Sequence, residues 1–141
     1  MKLDKVLYTA EATSTGGREG KTATSDKSFE LNLTTPKGLG GNGAAGTNPE
    51  QLFAAGYSAC FIGAMKVVAM QSKVTLPADL SINAKVSIGP IAVGFGISVD
   101  MTINGPGMEK SVLQGIVEKA HHICPYSNAT RGNIEVNLNV I

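Results

Sequence analysis

The sequence predicts an α+β protein of one domain, residues 1–141, with antiparallel sheets wrapped around a buried central helix. Three observations carry that expectation. Strand-like alternation comes in hairpin pairs instead of alternating with helices, which favours antiparallel sheets over a doubly wound parallel sheet. The stretch Thr47–Ser72, TNPEQLFAAGYSACFIGAMKVVAMQS, is apolar all the way round a helix and asks for cover on every side. A chain of 141 residues that is 43% hydrophobic suffices for one ordinary core and is neither disordered nor fibrous. The expected order is βββ-α-ββ-α-(short α)-β.

Lys5–Thr13 alternates and is rich in strand formers. Ser14-Thr15-Gly16-Gly17 turns, and Arg18–Thr24 returns as the second strand of a hairpin. After a turn at Ser25-Asp26-Lys27, Ser28–Leu33 is a third strand with Phe29, Leu31 and Leu33 on one face. Thr34–Gly46 is a glycine-rich loop. The central helix then opens on start signals: Asn48 caps, Pro49 suits the first helical position, Glu50 suits the dipole and Gln51 sits at the capping-box position. Ser81–Ile88 and Ala92–Ile103 alternate on either side of Gly89-Pro90 and form a second hairpin. Met108–Ile123 is an amphipathic helix, with Val112, Leu113, Ile116, Val117, Ala120 and Ile123 on one stripe. It ends near Cys124-Pro125, because a residue before proline leaves the helical region. Pro125–Thr130 starts a short helical turn, and Ile134–Ile141 is a last strand. A helix apolar all round needs more cover than two small sheets supply, so a homodimer with this helix at or near the interface is expected.

Composition narrows the function. A net charge of +1 gives no reason to expect a nucleic-acid or anionic-membrane partner. The N-terminus, MKLDKVLYTAEAT, has no apolar signal core, so export is not indicated and a cytoplasmic location is expected. Glu50, Gln51, Lys66 and Lys73 bracket an apolar run shorter than the roughly 18 residues of a membrane span. Two cysteines do not make a secreted disulfide scaffold; in a reducing compartment they read as catalytic, redox-active, metal-binding or core.

Cys60 sits near the middle of the central helix. A core thiol is inert, because burial raises its pKa above about 8.5, and Cys60 lies too far from the helix N-terminus for the dipole to help. A reactive Cys60 needs a cation. An arginine suits that role, and only two of the twelve basic residues are arginines, Arg18 and Arg131. A buried arginine needs a carboxylate in turn, and Glu50 opens the same helix as Cys60. Ten residues separate the two, about 15 Å of axis. Either an arginine bridges that gap or antiparallel helices in a dimer close it; alternatively Glu50 is a dipole-favoured surface acid.

Cys124 lies at a predicted helix end, which is more accessible than a core. With Cys60 close in space it would make a redox pair, in which a thiolate opens a peroxide and a second thiol resolves the sulfenic acid. The competing reading is zinc, held by His121, His122, Cys124 and Cys60, but adjacent helical histidines point about 100° apart and regular ligand spacing is absent. Gly38, Gly40 and Gly43 spell G-x-G-x-x-G without the strand, helix and downstream acid of a dinucleotide site; a surface loop or mobile flap fits better. A disulfide oxidoreductase would want C-x-x-C at a helix start, which is missing. A small-molecule binding module with structural thiols stays open.

Three segments carry a resemblance along essentially the whole chain: Gly16-Gly17-Arg18-Glu19-Gly20; Asn48-Pro49-Glu50-Gln51-Leu52-Phe53-Ala54-Ala55-Gly56-Tyr57-Ser58-Ala59-Cys60-Phe61; and Cys124-Pro125-Tyr126-Ser127-Asn128-Ala129-Thr130-Arg131-Gly132-Asn133. With them the chain resembles the organic hydroperoxide resistance proteins, the Ohr branch of the Ohr/OsmC family. The resemblance implies an intertwined α+β homodimer with two sites at its interface. It implies a thiol peroxidase that reduces organic hydroperoxides, lipid-derived ones included. Cys60 matches the peroxidatic cysteine and Cys124 the resolving one. Arg18 matches the arginine that holds the thiolate, and Glu50 the acid that orients it. It further implies a lipoyl dithiol as reductant, free or protein-bound, and no metal or cofactor. Phe53, Tyr57, Phe61 and Met65 flank Cys60, and at least half of them are expected to be core.

Overall fold

The computed structural model describes residues 2–141. The chain forms two compact units, Met1–Pro49 and Glu50–Ile141.

The first unit is an antiparallel meander of three short strands, β1 (Ala12–Thr15), β2 (Lys21–Thr24) and β3 (Glu30–Asn32), in that order. Gly16 and Gly17, at φ +70° and +57°, turn the chain from β1 into a single 3-10 turn, Gly17–Glu19, whose middle residue is Arg18. Left-handed backbone of this kind favours glycine. Asp26 accepts the Ser28 amide at 2.9 Å and shapes the next turn. Leu33 and Thr47 form an isolated parallel bridge that pins both ends of the glycine loop. Within the loop is a 3-10 turn, Lys37–Leu39, so its glycines neither follow a strand directly nor open a helix. Among the described residues of this unit, only Thr22 and Leu33 are buried.

The first strand is shorter than the alternation predicts: residues 5–11 join no ladder, and Leu3, Val6, Leu7 and Tyr8 are exposed. Alternation reports which side chains share a face, whereas a strand also needs a neighbour for its amides. The second strand begins at Lys21 instead of Arg18, because the 3-10 turn takes up the preceding residues.

The second unit opens on helix α1 (Pro49–Gln71), and then a hairpin, β4 (Ser81–Pro90) and β5 (Phe95–Asn104), is paired along its whole length. Pro90 ends a strand instead of making the turn; no ladder partner is lost at that position. Helices α2 (Lys110–Ile123) and α3 (Pro125–Thr130) follow, then strand β6 (Val136–Val140). Here an expectation is corrected. β6 runs parallel to β5, Val99 opposite Val136 and Ile103 opposite Val140, so the second sheet is mixed and not antiparallel. The chain crosses over through α2 and α3 between those strands, and a connection of that length permits parallel pairing.

The core lies in this unit. Val99, Met101 and Ile103 of β5 meet Tyr57, Phe61, Met65 and Val68 of α1 and Leu113, Ile116 and Val117 of α2. By length and hydropathy α1 passes for a membrane span, so the apolar run is not too short. Its buried side, Tyr57, Phe61, Ala64, Met65, Val68 and Ala69, marks it as a core helix instead. The opposite side, Ala55, Ala59, Gly63, Val67 and Met70, is exposed, so the second unit covers only one side of a helix expected to be covered all round.

Candidate active site

Cys60 and Cys124 come together although 64 residues separate them. Cys60 is carried about three turns into α1, between the buried positions and the exposed stripe. Cys124 is placed by Pro125. The proline cannot continue α2 but suits the first position of α3. Cys124 therefore has extended backbone, with φ −65° and ψ 125°, and stands at the joint between two helices. The Cys124 thiol donates to Cys60 Sγ across 3.9 Å, and both thiols are free.

The two sulfurs differ in exposure, in the reverse of the predicted sense. Cys60 is half-buried and Cys124 fully buried. The α2–α3 corner turns inward and packs its cysteine into the core, so a helix end is here less accessible than a helix middle. Burial pushes the Cys60 thiol up from its ordinary value, and the neighbouring Cys124 adds to the rise; the Tyr126 amide, which donates to the Cys60 sulfur, pulls the other way. Within this unit Cys60 therefore resists ionisation.

Of the two candidate arginines, Arg131 is engaged at the end of α3, donating to Asn128 Oδ1 at 3.1 Å and to the His121 carbonyl. Arg18 is half-buried at the β1–β2 connection of the first unit. Glu50 is half-buried in the first turn of α1. The zinc reading finds little in the geometry: His121 Nδ1 lies 3.0 Å from Ser127 Oγ, and no three His, Cys, Asp or Glu among the described residues are grouped to hold a metal ion.

Three of the four aromatic and thioether residues read as flanking Cys60 are core: Tyr57, Phe61 and Met65 are fully buried. Phe53 is only partly covered, and it packs edge-on to Tyr126, with ring centres 5.8 Å apart. Tyr126 also stacks on Tyr57 at 5.5 Å and remains 38% exposed, so it and Phe53 offer apolar surface to solvent near the thiols. Gly56 makes room for it: a Cβ there would lie 3.0 Å from the Tyr126 hydroxyl. Sequence reasoning missed Tyr126 as a lining residue. It also missed the hydrogen bonds among Tyr57, Ser127, Thr130 and His121, which no local spacing encodes.

The family described as OsmC-like protein matches residues 40–139. An organic hydroperoxide resistance protein of Xanthomonas axonopodis pv. citri (strain 306) is 63% identical over 135 residues, covering 96% of this chain and 95% of its own length. Organic hydroperoxide resistance protein OhrA of Bacillus subtilis (strain 168) is 40% identical over 143 residues, covering 98% of this chain and 99% of its own. A crystal structure of an organic hydroperoxide resistance protein from Elizabethkingia anophelis, with crystallant-derived thiocyanate bound, superposes with a TM-score of 0.90 at 49% identity, covering 96% of this chain and 97% of that one.

Proposed function

The chain belongs to the OsmC-like protein family, and from that premise we propose that it is a thiol-dependent peroxidase serving defence against organic peroxides. The observation that carries this reading is the pair of free sulfurs 3.9 Å apart, one half-exposed and one buried.

The half-exposed sulfur meets the peroxide. The Cys60 thiolate attacks the O–O bond of a hydroperoxide; an S–O bond forms, the O–O bond breaks, and the leaving alkoxide takes a proton to become an alcohol. The buried Cys124 sulfur then attacks the Cys60 sulfenic acid; an S–S bond forms and hydroxide leaves as water. A lipoyl dithiol, free or protein-bound, restores both thiols and becomes the cyclic disulfide. Arg18 counters the forces that keep Cys60 protonated and stabilises the leaving oxygen, and Glu50 orients the guanidinium. Phe53 and Tyr126 favour substrates with an alkyl tail, each buried CH₂ adding about 0.8 kcal/mol that hydrogen peroxide lacks. The enzyme works in the cytoplasm as a homodimer with its sites at the interface. Support for the dimer comes from the uncovered side of α1, where Val67 is 42% and Met70 73% exposed. Sedimentation equilibrium at micromolar concentration returns twice the chain mass.

Thiol titration after one equivalent of cumene hydroperoxide tests the chemistry. Two thiols per chain disappear and return with dihydrolipoamide. Cys60→Ser abolishes turnover, and Cys124→Ser reacts once and stalls as a sulfenic acid. Unchanged thiols in the wild type would favour a binding module with structural cysteines.

A further inference from the structure

A buried polar network lies around the first turn of α3, and the chemistry above does not use it. Tyr57 and Ser127 are fully buried and Thr130 is 6% exposed. The Tyr57 hydroxyl lies 2.9 Å from Ser127 Oγ and 3.2 Å from Thr130 Oγ1. Ser127 Oγ lies 3.0 Å from His121 Nδ1, and Thr130 Oγ1 donates to the Tyr126 carbonyl at 2.9 Å.

Proton counting orients this network. A hydroxyl has one proton to give. Thr130 gives its proton to the Tyr126 carbonyl, so Tyr57 donates to Thr130. Ser127 then donates to Tyr57, and the remaining contact requires His121 Nδ1–H to donate to Ser127. Every hydroxyl both gives and receives, and the Thr130 proton is shared with the Ser127 carbonyl at 3.3 Å, which also only accepts. Reversing the direction would take the Thr130 proton away from the Tyr126 carbonyl. Burial lowers the His121 pKa, as do the charges of Arg131 and His122, which favours the neutral ring, and the contact to Ser127 then puts its proton on Nδ1.

The network ties α3 to α1 through Tyr57 and to α2 through His121. The two groups that α3 brings to Cys60, the Cys124 sulfur at its N-cap and the Tyr126 amide, belong to the same turn. A disulfide needs the sulfurs at roughly 2.05 Å with a restricted dihedral, so from 3.9 Å Cys124 still has to close on Cys60, and drift of α3 away from α1 works against that approach. Apolar packing tolerates such drift better than a fully satisfied buried network does.

Resting on the peroxidase reading, we propose that Tyr57, Ser127 and His121 are positioning residues for the resolving step. They hold α3 so that Cys124 closes on oxidised Cys60, with His121 as the Nδ1–H tautomer.

Rapid-quench oxidation of the reduced full-length protein by one equivalent of cumene hydroperoxide, with dimedone present, separates sulfenic acid from disulfide by mass. In Tyr57→Phe and Ser127→Ala the dimedone-trapped fraction rises at least tenfold relative to disulfide. His121→Asn, whose amide nitrogen takes the place of Nδ1, keeps the wild-type ratio, whereas His121→Gln, which mimics the other ring nitrogen, does not. Wild-type ratios in folded Tyr57→Phe and Ser127→Ala overturn the proposal. Should those two fail to fold, equal ratios for His121→Asn and His121→Gln overturn it. Nitrogen-15 NMR of reduced His122→Gln, which leaves a single histidine ring, shows Nδ1 protonated; a proton on Nε2 overturns the proposal without reference to activity. Absence of both adduct and disulfide in the wild type is a distinct outcome: it overturns the peroxidase reading, and with it the resolving role, while the NMR result still decides the network.

Discussion

β4–β6 sends Val99, Met101, Ile103 and Val140 into a core shared with α1 and α2, while β1–β3 buries a single side chain, Thr22. The two sheets have equal strand numbers and unequal means of support. The thiols stand in the unit with a core, where backbone and neighbours are fixed. The proposed guanidinium stands on a glycine turn of the unit that buries little. Fixed geometry suits the sulfur pair, which must meet within a narrow distance. The proposed role of Arg18 asks less of its support, because its side chain is long and permanently charged.

After the two cysteines themselves, the largest effect expected is at Arg18. Arg18→Ala slows the attack of Cys60 on cumene hydroperoxide about a hundredfold, the scale seen when a donor to a developing oxyanion is removed. Stopped-flow kinetics measure this. The fold stays intact, because the residue leaves a turn of a unit with little core. The pH dependence has a definite sign. The thiolate is the reactive form, so the attack rate rises with pH through the Cys60 pKa. Burial and Cys124 already push that pKa up. Removing a cation pushes it further, so the midpoint of iodoacetamide alkylation moves to higher pH in the variant. An unmoved midpoint would separate Arg18 from the thiol.

A smaller effect sharpens the contrast between the sheets themselves. Leu113 is 1% exposed on α2, and Phe29, next to β3, is 40% exposed. Leu113→Ala costs about 2–5 kcal/mol, the range for emptying a packed leucine site. Phe29→Ala removes a larger side chain but costs less, about 1–2 kcal/mol, since 40% of that residue's surface stays in water in the fold. Urea denaturation of the two variants with unchanged m-values is the measurement. Equal losses would mean that Phe29 is covered in solution, as a partner subunit would cover it.

The sequence was legible where local chemistry decides. Asn48-Pro49-Glu50 marks the start of α1, and Cys124-Pro125 marks the break between α2 and α3, to within a residue or two. It was less legible where a partner decides. Residues 5–11 alternate like a strand and join no ladder among the described residues; only the Glu11 carbonyl is held, by the Ser25 amide at 3.1 Å. The direction of β6 depends on where the crossover lands, not on its own residues. In the site, Cys60 and Arg18 could be reasoned from the need of a thiolate for a cation, but no spacing rule brings position 60 to position 124. Resemblance supplied that pairing. Burial then inverted the expected exposures, because a helix end is accessible only if the corner faces outward. The Tyr57–Ser127–His121 contacts span up to 70 residues and involve types that are common on surfaces, so nothing local signals them.

The smallest effect is at Glu109, the N-cap of α2. Its carboxylate accepts the Ser111 amide at 2.9 Å and the Val112 amide at 3.2 Å, along with the Ser111 hydroxyl. The Ser111 hydroxyl, followed by the Val112 amide, holds the Glu109 pKa below its ordinary value. A carboxylate whose folded pKa is lowered contributes stability above its unfolded pKa, and that contribution is lost as pH falls through the folded value. Glu109→Ala is therefore less stable than the wild type at about pH 7, and the difference shrinks as pH falls through the lowered folded value. Glu109→Gln keeps an acceptor without a titration, so its difference from Glu109→Ala stays level with pH. Glu19 and Asp26 in the first unit have lowered pKa values of the same sign, from Thr35 and from Ser28 and Thr24. Acid therefore loosens carboxylate contacts to backbone amides in both units. Only at Glu109 does the loosened contact start a helix that carries Leu113, Ile116 and Val117 into the core, so urea midpoints register that loss, while amide exchange at Thr35 and Ser28 registers the other two.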